Sequence, residues 1–157
     1  MTSTIAIAPL ATLPPDAIQP LLDASRSEGL RLVERLADEY ASGANRFDRP
    51  GELLLGAYAA GQLVGVGGVN RDPYARDACV ARMRHLYVLP AWRRRSVGRQ
   101  LVAALIAAAA PHFAVLRLRT TNPAADRFYQ SIGFLVAEGD ADATHALELA
   151  AFRALRA

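Results

Sequence analysis

The sequence predicts a mixed α/β fold, one sheet flanked by helices, with the whole of residues 1–157 in a single domain. Three observations carry this reading. Segments with apolar residues every three to four positions alternate with short apolar runs bounded by Gly, Pro and Asn. Two of those runs are joined by the short connection "AAGQ", which makes an antiparallel hairpin. Two later runs are separated by a complete helix, so the sheet is not purely antiparallel.

In chain order, "TIAIAPL" is the first strand. "PPDAIQPLLDASRSEG" follows as a short helix, with proline at its start and Gly29 as its stop. "LRLVERLADEYA" repeats Leu32, Leu36 and Tyr40 every four residues, with charges opposite, as an amphipathic helix. After the turn-rich "SGANRFDRPGE", the hairpin occupies "ELLLGAYAAGQLVGVGGVN". "RDPYARDAC" is a second polar loop, and "VARMRHLYVLP" a strand halted by Pro90. A helix runs from near Val97 to about Ala110, closed by Pro111. "AVLRLRT" is a strand, and "NPAADRFYQSIGF" a helix with Asn122 as its cap and Gly133 as its stop. "THALEL" is the last strand, before a short final helix.

Composition excludes several classes. The chain is 52% hydrophobic and 21% charged, the balance of a globular protein with a packed core. All 18 basic residues are arginine, so no mechanism based on a lysine is available. Net charge is only +3, and no interleaved aromatics accompany the basic cluster, which argues against a nucleic-acid partner. The run "LVAALIAAAA" has ten residues, whereas a bilayer span needs roughly 20, so no membrane partner is expected. The N-terminus lacks a basic start and a long apolar core, and the lone Cys79 forbids an internal disulfide. Both suit a cytoplasmic location. No metal site is expected.

The most informative stretch is "PAWRRRSVGRQLV". A strand ends at Pro90, a basic loop follows, and a helix starts near Val97. A helix start offers unpaired N–H groups and about half a positive charge, a ready site for anions. Gly98 lets a phosphate approach the backbone, and Arg93, Arg94, Arg95 and Arg99 add charge-assisted donors.

The run Arg93, Arg94, Arg95, Ser96, Val97, Gly98 resembles the [Gln/Arg]-x-x-Gly-x-[Gly/Ala] signature of the GNAT superfamily of N-acetyltransferases. "RHLYVLPAWR" is similar to the family's central strand, and "NPAADRFYQSIGF" to its N-x-x-A-x-x-x-Y-x-x-x-G-F helix. The match extends over residues 52–134. Ser96 departs from it, standing where the family usually has glycine. The resemblance implies a mostly antiparallel sheet with a splayed central parallel strand pair and flanking helices. It implies acetyl-CoA as cosubstrate, its pyrophosphate on the loop residues 93–99. It also implies a bulge in the central strand, whose backbone at Leu86 and Val88 would hold the pantetheine arm and polarise the thioester carbonyl.

By the same resemblance, Tyr129 is the general acid for the departing thiolate, since a phenol with a pKa of about 10 is protonated near neutrality. Asn122 either bonds the cofactor arm or only caps its helix. Many relatives carry a glutamate base early on the central strand, but Arg82 stands at that position. The base is therefore open among Glu52, Asp72, His85, His145 and water. Simple alternation would put His85 on the opposite face from Arg84 and Leu86. The acceptor is expected to be a small-molecule or peptide amine, bound near the first two helices and the loops carrying Arg46, Phe47, Asn70, Asp72 and Tyr74. Arg46 and Arg49 would suit an acceptor with a carboxylate. A homodimer and a longer acyl donor are left open. The competing reading is a non-catalytic acyl-CoA sensor on the same fold.

Overall fold

The computed structural model describes residues 4–154. Its strands are β1 (Ile5–Pro9), β2 (Leu53–Ala59), β3 (Gln62–Arg71), β4 (Val80–Val88), β5 (Val115–Leu118), β6 (Leu135–Val136) and β7 (His145–Glu148). Its helices are α1 (Pro15–Ser27), α2 (Leu32–Ser42), α3 (Val97–Ala109), α4 (Pro123–Ile132) and α5 (Ala150–Ala154). The strands form one sheet in the order β1-β2-β3-β4-β5-β7-β6. Among the described residues, β4 and β5 are the one parallel pair.

The expected hairpin is present. Ala59 pairs with Gln62, and Ala60 and Gly61 form the turn with φ of 50° and 80°. Two successive positive φ angles match the turn twist to the strand twist. The strand β6, two residues long, pairs with β7 and was too short to leave a periodic signal.

Helices cover both faces of the sheet. On one face α3 buries Leu101, Val102, Leu105 and Ile106 against Leu55, Val64 and Val69. On the other, α1 and α2 bury Ile18, Leu21, Val33 and Leu36 against Leu54, Val66 and Tyr87. Each fully buried leucine contributes on the order of 1.5–3 kcal/mol. In α2 the fully buried positions are Val33 and Leu36, while Leu32 and Tyr40 lie half-buried at the margin of that stripe.

Two irregularities in the middle of the sheet position the site. First, β4 and β5 pair only at Val80↔Val115, Ala81↔Leu116 and Arg82↔Arg117, and then part. Second, β4 carries an extra residue: Val66 faces Tyr87 and Gly68 faces Arg84, so His85 and Leu86 together oppose Gly67. His85 takes φ +59° to make this bulge. The bulge corrects the alternation expected at His85. Arg84 and His85 both reach Glu39 on α2, so they share a face.

Candidate active site

A cleft of about 1190 Å³ opens where β4 and β5 part. The N-terminus of α3, the start of α4, the α1–α2 connection and the loop after β3 all contribute to its lining. Leu86, Val88, Arg93, Arg94, Ser96, Val97, Gly98, Arg99, Asn122 and Tyr129 all line it; Arg95 does not.

The basic loop leaves β4 through a 3-10 turn, Pro90–Trp92. Arg94 and Ser96 both adopt positive φ, 62° and 65°. Ser96 is the N-cap of α3 yet its side chain caps nothing, while its carbonyl accepts from the N–H of Gln100 at 3.0 Å. The first N–H groups of α3 therefore have no intrahelical partner and no side-chain cap. The left-handed geometry at Ser96 explains why the resembled signature has glycine there, since a side chain costs on the order of 1–2 kcal/mol in that conformation. At Gly98 a Cβ would meet only Phe128 at 3.7 Å and Val88 at 3.8 Å. The protein's own packing does not require glycine, so the residue suits close approach by a ligand.

The four arginines divide. Arg94 and Arg99 line the cleft and are exposed; Arg99 also donates to Ser131 Oγ at 2.9 Å and lies over the Phe128 ring. Arg95 stacks on Trp92 at 5.1 Å. Arg93 turns toward α1, donating to both carboxylate oxygens of Glu28 at 2.9 and 2.8 Å, and from Nε to the Val88 carbonyl at 3.0 Å. Tyr87 also donates to Glu28. These donors, Arg93 first, hold the Glu28 carboxyl below its usual range against the opposing effect of burial. Burial and Glu28 together push the Tyr87 phenol up to about 12.

Tyr129 is 8% exposed, with Phe128, Phe134 and His145 edge-on or tilted around its ring. Among the described residues its hydroxyl has no hydrogen-bond partner, and the residue opens on the cleft. Burial alone pushes its phenol well above the usual value. Asn122 Oδ1 accepts from the N–H of Ala124 at 2.9 Å, so it caps α4 as expected while lining the cleft.

The candidates for a base are dispersed. Both Glu52 oxygens accept backbone N–H groups, from Arg49 and Arg71, away from the cleft lining. The Asp72 carboxylate is buried, with Arg117 Nε at 2.9 Å and Arg82 Nη1 at 3.5 Å; it locks β4 to β5. His145 Nε2 lies 2.7 Å from Asp126 Oδ1 and Nδ1 lies 2.8 Å from Thr144 Oγ1, so both ring nitrogens are engaged. His85 alone of the four lines the cleft. Burial, assisted by Arg84, lowers its pKa to about 4, so it is neutral at physiological pH. Its Nε2 stands 3.6 Å from Glu39 Oε2, and neither atom has a hydrogen-bond partner among the described residues.

Of the acceptor residues expected from the loops, Tyr74 lines the cleft. Arg46 instead bonds the carbonyls at the end of α2. Asn70, Asp72 and Arg49 line a neighbouring polar pocket of about 440 Å³, together with Glu39 and Arg84. Glu28, Arg35, Glu39 and Arg84 are not site candidates from the sequence. Each sits among other charges on a polar helix face or alternating strand, which gives no signal of its own.

With this geometry in view, the acetyltransferase (GNAT) domain model matches residues 50–136, and the chain belongs to that family. RimI of Mycobacterium tuberculosis strain ATCC 25618 / H37Rv, an N-alpha-acetyltransferase, is 33% identical over 89 residues. That alignment covers 54% of this chain and about half, 53%, of the relative. A structure from Exiguobacterium sp. 255-15, assigned as an acetyltransferase, superposes with a TM-score of 0.85 at 28% identity, covering 98% of this chain and 99% of that one. The GNAT family N-acetyltransferase YhbS of Escherichia coli, solved with CoA, superposes with a TM-score of 0.71 at 21% identity over 96% of this chain and 84% of that one. Among the described residues no helix is long and apolar enough to cross a membrane.

Proposed function

We propose that the protein transfers an acetyl group from acetyl-CoA to the primary amine of an acceptor, in one step with both substrates bound. The observation that carries this reading is the uncapped N-terminus of α3, with Gly98, Arg94 and Arg99 around it, at the mouth of the cleft between β4 and β5. The CoA complex of YhbS supports the choice of ligand.

Acetyl-CoA supplies an acetyl group activated as a thioester. The backbone N–H groups at the start of α3, with Arg94 and Arg99, bind its phosphates. Leu86 and Val88 present the backbone edge that β5 leaves unpaired beyond Arg82, and the pantetheine arm pairs there. One lone pair of the Val88 carbonyl is already taken by Arg93, which fixes that carbonyl's direction. The acceptor nitrogen bonds to the acetyl carbon as the carbon–sulfur bond breaks. The amine gives one proton to water, the departing sulfur takes one from the Tyr129 hydroxyl, and water returns a proton to the phenolate left behind. Burial keeps that hydroxyl protonated throughout the physiological range, so the donor is always loaded.

With Glu52, Asp72 and His145 held in other contacts, the amine proton leaves by water at the cleft mouth or past neutral His85. The test is release of free thiol from acetyl-CoA across a panel of amines, beside calorimetry with CoA. Binding with amine-dependent thiol release is the expected result. Absence of CoA binding would remove the whole reading.

A further inference from the structure

The acceptor end of the cleft is rich in arginine and poor in carboxylate. Arg35 on α2, Arg82 and Arg84 on β4, and Arg119 just beyond β5 all line it. Arg119 stands two residues past Arg117, the register partner of Arg82, on the stretch that has already parted from β4. Arg82 is only 9% exposed; its Nη1 pairs with Asp72 Oδ2 at 3.5 Å, but among the described residues nothing accepts a hydrogen bond from its guanidinium. The exposed ring of Tyr74 covers it at 4.9 Å. Arg84 gives Nη2 to Glu39 and keeps its other donors. Arg35 and Arg119 are exposed and have no ion pair among the described residues. Among the described residues the one carboxylate lining the same cleft, Glu28, is taken by Arg93 and Tyr87.

An ammonium entering this space meets like charge, which favours its neutral, nucleophilic form and eases the loss of a dedicated base. Among the described residues, no unpaired carboxylate lines the cleft to receive a polycationic amine. A carboxylate finds planar guanidinium donors matched to its two oxygens. We propose that the acceptor is an amino acid or a similar small molecule, with a carboxylate on the same molecule as its reacting amine. Arg82 and Arg84 hold that carboxylate beside Tyr74, and Arg35 and Arg119 add to the field. This assignment rests on the acetyl-transfer reading above.

The test compares free amino acids with the amides of the same amino acids as acceptors, read by thiol release. For the best amino acid, kcat/KM should exceed that of its amide by about tenfold, the effect of a lost charged hydrogen bond. The ratio should fall toward one in Arg84→Gln and Arg35→Gln, with CoA affinity unchanged. The second variant alters an exposed, unpaired side chain, so the fold is not at risk. Amides or plain alkyl amines used as well as the acids would overturn the assignment. So would a phosphorylated amine or a peptide preferred to every free amino acid. A second measurement needs no turnover: N-acetylated amino acids, which keep the carboxylate, titrated calorimetrically into the CoA-loaded protein. Heat that disappears in Arg84→Gln supports the carboxylate site, and no heat with any of them overturns it. CoA binding without thiol release from any amine would sink the transfer reading and leave the carboxylate site to the titration.

Discussion

Arg93 clamps both oxygens of Glu28, at 2.9 and 2.8 Å, and so ties the loop before α3 to the end of α1. An arginine expected to serve a phosphate directly is thus engaged with Glu28, and holds the frame of the proposed phosphate site. Glu28→Gln should lower stability by about 1 kcal/mol, since the pair is partly exposed. In a chain of this size that is a drop of roughly 2–4 °C in Tm. CoA affinity should fall with it. Because the folded-state pKa of Glu28 is depressed, its contribution is present above the unfolded value of 4.5 and lost as pH falls through the lower folded value. Thermal melts on the acid side should therefore show a shallower loss in the variant than in the native chain.

Tyr129→Phe should leave CoA binding intact and reduce kcat by roughly 10²-fold or more, the scale of a lost proton donor. Calorimetry and steady-state thiol release check the two halves separately. An unchanged kcat would take Tyr129 out of the reaction.

At the loop, where a Cβ at Gly98 meets nothing closer than 3.7 Å, Gly98→Trp should abolish CoA binding by filling the space a ligand would take, with circular dichroism checking that the fold is kept. Ser96→Gly should relieve the left-handed strain. Glycine's greater freedom in the unfolded chain offsets part of this, so the net gain is at most about 1 kcal/mol. Denaturant melts would detect it, and tighter CoA binding would accompany it.

His85→Asn tests the burial of an imidazole at the bulge, since asparagine tolerates the positive φ. The folded pKa of His85 is lowered from 6.5 to about 4, so its contribution is present above 6.5 and lost as pH falls through about 4. The native chain should lose on the order of 1–3 kcal/mol across that window. The variant should lose less, as read by melts in matched buffers.

Asp72→Asn leaves Arg82 and Arg117 facing a neutral group in a buried setting. Breaking a buried ion pair from one side costs about 3–5 kcal/mol. The expected outcome is a large fall in Tm, with faster hydrogen exchange at the paired residues Ala81 and Leu116.

Much of this was legible in the sequence, for physical reasons that can be named. Pro90, Ser96 and Gly98 punctuate a strand, a loop and a helix start, and Asn122 and Gly133 bracket α4 as side-chain chemistry dictates. The loop around Arg94 and Arg99 was legible because its proposed role depends on local backbone. The tie between Arg93 and Glu28 was not, because it joins residues 65 apart in the chain. Nor was the arginine set of Arg35, Arg82, Arg84 and Arg119, which the sheet gathers from separate elements. Asp72 was weighed as a base from sequence; only its burial between two guanidinium groups shows it as a brace.

The extra residue at His85 also acts as a phase shift. Upstream of it, odd-numbered positions of β4 such as Ala81 and Met83 turn toward α3, whereas downstream it is even-numbered ones, Leu86 and Val88. Removing a single residue there would restore strict two-fold periodicity and invert everything that follows, sending Tyr87 into the α3 side and Leu86 and Val88 into the other. A one-codon deletion at the bulge would thus leave the composition almost untouched and scramble which side of the molecule each remaining residue serves.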